Sequence, residues 1–97
     1  MYAVVRRYTN AKALGDALVA RQDEVNELLG SIPGFVTWYA VRTMDGLATV
    51  TVCQDQAGAA ESTRRAAEWV KANLPDAALT PPEISEGEVI MDVGPAS

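Results

Sequence analysis

Histidine is absent from this 97-residue chain. Its absence excludes Ser-His-Asp and Cys-His nucleophilic catalysis, histidine zinc sites and a histidine axial ligand for haem. It also removes the usual proton shuttle near neutral pH. Any acid–base step therefore falls to Asp, Glu, Tyr, Lys, an arginine-assisted water or the ligand itself. Cysteine occurs once, at Cys53, so the chain forms no internal disulfide and contains no Cys-pair metal motif. Cys53 has neither His nor Cys to activate it and reads as a small buried hydrophobe.

Long apolar runs are missing as well. No segment approaches the ~20 residues of a membrane helix, and Tyr2–Val5 is too short for a secretory core, with Arg6-Arg7 following it instead of preceding it. These features, with the lone thiol, lead us to expect a cytoplasmic protein. Positive charge is scarce: 8 Lys+Arg stand against 13 Asp+Glu, a net charge of −5. Basic residues pair only at Arg6-Arg7 and Arg64-Arg65, which argues against nucleic-acid binding. There is no P-loop, no dinucleotide fingerprint and no metal-ligand pair. Glu83, Glu86 and Glu88 lack the glycine-punctuated loop of a calcium site and read as solvated. No cofactor or metal is expected.

What is present is a patterned globular composition, 48% apolar and 22% charged. Tyr2–Tyr8 is β-branched and aromatic and predicts a strand. Thr9 or Asn10 then suits a helix cap, and Leu14, Ala17, Leu18, Val25, Leu28, Leu29 and Ile32 recur at helical spacing up to a stop at Gly30 and Pro33-Gly34. Phe35–Thr43 and Leu47–Cys53 flank Met44-Asp45-Gly46 and predict an antiparallel hairpin. A second helix is expected from about Gln56 to Leu74, ended by Pro75. A loop over 75–86 and a last strand over Gly87–Val93 complete one domain, 1–93, with a frayed tail at 94–97.

This order is β-α-β-β-α-β, an α+β ferredoxin-like plan with two helices on one face of a four-stranded antiparallel sheet. Strands two and three carry large apolar groups or hydroxyls on both sides, unlike a face meant for water. If Val50 and Val52 face the helices, Thr49, Thr51 and Cys53 face outward. The outer face needs a cover, and a second copy of the chain would supply it as a sheet-to-sheet homodimer.

The same element order, together with Pro33-Gly34-Phe35, the run RTMDG over 42–46 and GEV over 87–89, resembles the dimeric α/β-barrel superfamily. Within it, the chain is similar to antibiotic-biosynthesis-monooxygenase-like domains. VCQDQAG over 52–58, Glu61-Ser62 and AAEWV over 66–70 resemble a bacterial subgroup without an assigned activity. The resemblance implies a homodimer with a pocket between each sheet and its helices. It also implies a cofactor-independent monooxygenase-like activity on a small aromatic or polyketide-like substrate, in which a substrate carbanion reacts with oxygen. The alternative within the same fold is a non-catalytic dimeric protein that binds a small molecule or serves a stress response. Haem-degrading relatives use an Asn on the first strand, a Trp closing the third and a His on the second helix. This chain has Cys53 at the Trp position, its early Asn10 beyond the strand, and no histidine, so those roles are not carried over.

The candidate site residues each have a bland counterpart. Trp69, beside Ser62 and Ala66 on the second helix, is either a pocket wall that stacks on an aromatic ligand or packing for a loop or partner. Glu61 is either a pocket acid near the Ser62 hydroxyl or the surface partner of Arg64 and Arg65. A helix N-terminus favours its ionised form and makes it a weak base. Trp38 and Tyr39 point to opposite faces, so one at most lines the helix-side pocket, and Tyr39 is the better proton donor. Arg42 suits a ligand carboxylate or enolate, or is an edge arginine near a turn. Asn10 is a ligand donor or a helix cap.

Overall fold

The computed structural model describes residues 1–74 and 81–94. The elements are β1 (Tyr2–Thr9), α1 (Lys12–Ala20), α2 (Gln22–Gly30), β2 (Phe35–Thr43), β3 (Gly46–Cys53), α3 (Gln56–Asn73) and β4 (Glu83–Glu88). The sheet runs β2-β3-β1-β4, antiparallel at every pairing. This is the ferredoxin-like α+β fold, with one departure in the helices. The single first helix expected from Ala11 to Gly30 is two, broken at Arg21, whose backbone leaves the helical region at φ −118 and ψ 33. Neither half has a side-chain cap. The physical cause is visible between Leu18 and Val25: no buried residue falls there to hold a straight helix on the sheet.

Asn10 does not cap α1. It sits in the left-handed region at φ 52, which asparagine tolerates better than branched residues, and its N–H donates to the Asp45 carbonyl at 3.0 Å. The close approach here also explains Gly46, where a Cβ would lie 1.9 Å from the Tyr8 carbonyl oxygen. Gly34 turns the chain from α2 into β2 with φ +80, a conformation glycine adopts without a side-chain clash. By contrast α3 has a side-chain cap: Asp55 accepts from the Gly58 N–H at 2.9 Å.

The sheet faces are the reverse of the conditional assignment made from sequence. Leu47, Thr49, Thr51 and Cys53 are the buried set on β3, and Val50 and Val52 lie on the outer face. Threonine and valine have nearly the same shape, so either set fits either face sterically. The deciding difference is that the Thr51 hydroxyl has a polar partner on the helix side. Pairing carries the assignment across the sheet: Trp38 lies opposite Thr51, and Tyr39 opposite Val50. The outer face is therefore more apolar than expected, with Val5, Val50 and Val52 at its centre and Val41 and Tyr39 exposed on β2.

The last strand also differs. It spans Glu83–Glu88, taking in the last four residues of the expected loop and only the first two of the expected strand, because β1 offers partners only from Arg7 to Tyr2. Val89 adds one further bond to the Met1 carbonyl at 2.8 Å. The apolar run beyond it lies outside the ladder, leaving Ile90, Met91 and Val93 exposed. Of the expected loop, residues 75–80 lie outside the described residues, as do residues 95–97 of the expected tail. Between sheet and helices, Leu14, Val25, Leu29, Ile32, Leu47 and Trp69 form the core.

Candidate functional site

Alternation along β1 places Val4, Arg6 and Tyr8 toward the helices. Arg6 is thereby pressed into the interior, 3% exposed. Its side chain reaches across β3 to α3. Nη1 donates to Thr51 Oγ1 at 3.1 Å, and Nη2 donates to Ser62 Oγ at 3.3 Å and Thr63 Oγ1 at 2.6 Å. The two α3 hydroxyls are oriented by the helix itself, since both donate to the Ala59 carbonyl, at 2.6 and 3.2 Å. All three partners are neutral. Among the described residues no carboxylate lies within 4.0 Å of the guanidinium, and the buried Nε has no hydrogen-bond partner. Burial pulls the Arg6 pKa down, against the attraction of Tyr8, Glu86 and Cys53. A guanidinium nonetheless remains charged at any accessible pH.

Arg6 borders a cavity between the sheet and the three helices. Trp38 from β2, Trp69 from α3, Thr51 and Ser62 share its wall, and leucines of α1 and α2 complete it. Its volume is about 50 Å³, well below the few hundred Å³ usual for a ligand pocket and enough for several waters. Half-buried Leu18, Leu28 and Val70 in the lining bring it to the surface. Trp69 is fixed at both ends, packed in the core and donating from Nε1 to Glu24 Oε1 at 3.2 Å. Tyr8 also faces the cavity, and burial holds its phenol neutral by raising its pKa.

Of the residues singled out from sequence, Trp69, Trp38 and Ser62 meet at this cavity. The other four lie elsewhere. Tyr39 is 61% exposed on the outer face. Glu61 is on the solvent side of α3, paired with Arg64 and, at 3.1 Å, with Arg65. Those hydrogen bonds hold its carboxyl below the usual range, which weakens it as a base. Arg42 pairs with Asp16 at 2.8 Å and, with Asn10, lines a separate surface depression near the β2–β3 turn. Cys53 is fully buried, and burial raises its thiol pKa. The residue that sequence reasoning missed is Arg6. Its available signal was parity: Arg6 shares one face of β1 with Val4 and Tyr8, while Arg7 falls on the other.

No protein-family model matches the chain, and neither does any curated protein sequence. Solved structures do match it. A crystal structure of NE2512, a protein of unknown function from Nitrosomonas europaea, superposes with a TM-score of 0.73 at 21% identity, covering 99% of this chain and 95% of that one. The heme-degrader MhuD from Mycobacterium tuberculosis, with two hemes in its active site, gives 0.70 at 18% identity over 97% and 100%. A monooxygenase from ActVA-Orf6 of Streptomyces coelicolor, in complex with the ligand Nanaomycin D, gives 0.68 at 20% identity over 98% and 91%. The chain has the fold of the antibiotic-biosynthesis-monooxygenase-like proteins. The residues do not fit haem: the sequence has no histidine to bind iron, and the cavity is far smaller than a porphyrin.

Proposed function

We propose that the protein is a cofactor-independent, monooxygenase-like enzyme for a small aromatic or polyketide-like substrate held between the sheet and its helices. The observation that carries this reading is the cavity that joins two tryptophans to a buried cation with no carboxylate within 4.0 Å among the described residues. Trp38 and Trp69 supply flat apolar walls for a ring, and Arg6 supplies positive charge where an ionised substrate would concentrate negative charge. A ligand ring requires the walls to part. In the reaction, the substrate anion delivers electrons to dioxygen and a C–O bond forms. The hydroperoxide then loses water, so that CH2 and O2 become C=O and H2O. The substrate supplies all four electrons, and the protein binds, orients and neutralises charge.

The reading includes a homodimer through the outer sheet face. Val5, Val50 and Val52 with exposed Val41 and Tyr39 form a continuous apolar surface of the kind that soluble monomers rarely leave open. Ile90, Met91 and Val93, past the end of β4, are further exposed apolar groups. The test of activity is oxygen uptake with a panel of hydroxylated naphthalenes and anthrones, with a chelator present and no added flavin. One O2 consumed per substrate, with one labelled oxygen atom in the product, is expected. Uptake no faster than in buffer would leave the second reading, a binding protein, which the lack of a carboxylate among the described residues of the cavity wall favours.

A further inference from the structure

We infer that residues 16–24, which span the break between α1 and α2, form a lid on the cavity, and that Arg21 and Glu24 latch it to the end of α3. The lid rests on the pocket reading and is the wall that parts when a ring enters. Three observations support it.

The first is how loosely the segment is held. Leu14 and Gly15 anchor α1 in the interior, and Val25 and Leu29 anchor α2, but no residue from 16 to 24 is buried. The backbone leaves the helical region at Arg21, and no side chain caps the start of α2. A short helical stretch with no packed face has little to hold it beyond its own hydrogen bonds. Pinned ends around an unpinned middle let the segment open while the core stays folded.

The second is what ties it down. Arg21 Nη1 donates to Asn73 Oδ1, and Glu24 Oε1 accepts from Trp69 Nε1 at 3.2 Å. Asn73 in turn donates from Nδ2 to the Trp69 carbonyl at 2.9 Å. Trp69 and Asn73 lie one helical turn apart, so the two contacts act as one latch. Arg21 and Glu24 are exposed, and a surface hydrogen bond exchanges for water at small net cost. The latch therefore biases the lid closed without locking it.

The third is position. Leu18 on the lid and Val70 beside Trp69 are half-buried in the cavity lining and mark its opening. The other walls are firm. Strands β1 and β3 are paired on both edges, while α3 is capped by Asp55 and joined to Arg6 through Ser62 and Thr63. A space of about 50 Å³ admits a ring only if a wall moves, and the α1–α2 elbow is the one built to move. Opening frees the Trp69 indole N–H as the ring reaches that same indole, so latch and wall share a residue.

The test combines hydrogen exchange on the full chain with the binding kinetics of 2-naphthol, a two-ring probe followed by tryptophan fluorescence. The amides of Arg21 and Val25, bonded to the Ala17 and Arg21 carbonyls, should exchange together with the Trp69 indole N–H and faster than the amides of β3. Asn73→Ala and Glu24→Ala should each speed these three protons about three- to tenfold, the weight of one or two hydrogen bonds, and leave β3 unchanged. Asn73→Ala should raise the association and dissociation rates of naphthol by that same factor, with Kd unchanged. Exchange of the three protons only in step with β3, or an equal loss of protection in β3 of the variants, would overturn the lid and leave the pocket intact. Binding rates unmoved by either substitution would do the same. No saturable binding of naphthol would end the pocket reading and the lid together. If a variant fails to fold, the wild-type exchange pattern decides.

Discussion

Replacing Arg6 by methionine should make the protein more stable. At the low end, its three hydrogen bonds contribute about 4.5 kcal/mol, taking ~1.5 for each bond to a charged group. Against them stand several kcal/mol for desolvating the ion and about 1–3 kcal/mol for the orphaned Nε–H. Methionine of similar length also recovers about 1.5–3 kcal/mol of apolar burial. Ser62 and Thr63 keep their bonds to the Ala59 carbonyl, but the buried Thr51 hydroxyl loses its Arg6 partner, which returns about 1–3 kcal/mol. The balance still favours methionine, by about 1–2 kcal/mol, and near this chain length each kcal/mol raises Tm by about 4–8 °C. Equilibrium urea unfolding at fixed protomer concentration measures the difference, the fixed concentration keeping any association from confusing the comparison. A stabilised variant that has lost anion binding would show that the cation is kept for a ligand at a cost in stability. A loss of more than about 1 kcal/mol would refute this reasoning and make Arg6 a structural tie between β1 and α3.

Three further outcomes follow from the geometry. Val50→Lys places a charge at the centre of the outer sheet face, twice per symmetric dimer, and should give soluble monomers by sedimentation at micromolar concentration; an unchanged dimer or a monomeric wild type would contradict it. Asp55→Ala removes the acceptor of the Gly58 N–H and should cost about 1 kcal/mol in urea unfolding, whereas no loss would mean that the cap is dispensable. Glu61 has a depressed pKa from its hydrogen bonds to Arg64 and Arg65. Its contribution is therefore complete above the ordinary carboxylate pKa and fades as pH falls through the depressed value. Relative to Glu61→Gln, the wild type should lose its advantage on acidification, and a pH-independent difference would refute the pairing.

Much of the fold was legible because local rules and tertiary packing agree in it. The β2–β3 hairpin announced itself through β-branched runs around Met44-Asp45-Gly46, and α3 through a spaced apolar stripe that begins just after Asp55. The errors fall where those signals were ambiguous. Alternating Thr and Val on β3 fits either face by shape, and only the three-dimensional position of Arg6 decides which hydroxyls turn inward. The polar segment Glu83–Glu86 reads as loop by composition, yet an edge strand needs only β1's unpaired side to form. Arg21 interrupts the apolar stripe, and spacing alone reads through it as one helix because residues on both sides share one helical period.

The site was half legible for a related reason. Aromatics on a helix and a strand are natural wall candidates, so Trp69 and Trp38 could be picked out. A buried cation breaks the expectation that arginines stay at the surface. Arg6 was thus counted with Arg7 as a basic pair, although strand parity sends the two side chains to opposite faces. Arg42 and Glu61, chosen for their chemistry, find ordinary ion partners at the surface.

The most direct measurement is the Nε–H resonance of Arg6 in a nitrogen-15 correlation spectrum, assigned by its loss in Arg6→Met. In the free protein this proton should be protected from solvent exchange and lack the downfield shift of a strong hydrogen bond. Saturation with 4-nitrophenolate, a one-ring ionised probe, should shift it as an anion comes to rest beside the guanidinium. An unchanged Arg6 signal with the probe demonstrably bound would contradict the placing of an ionised substrate against Arg6.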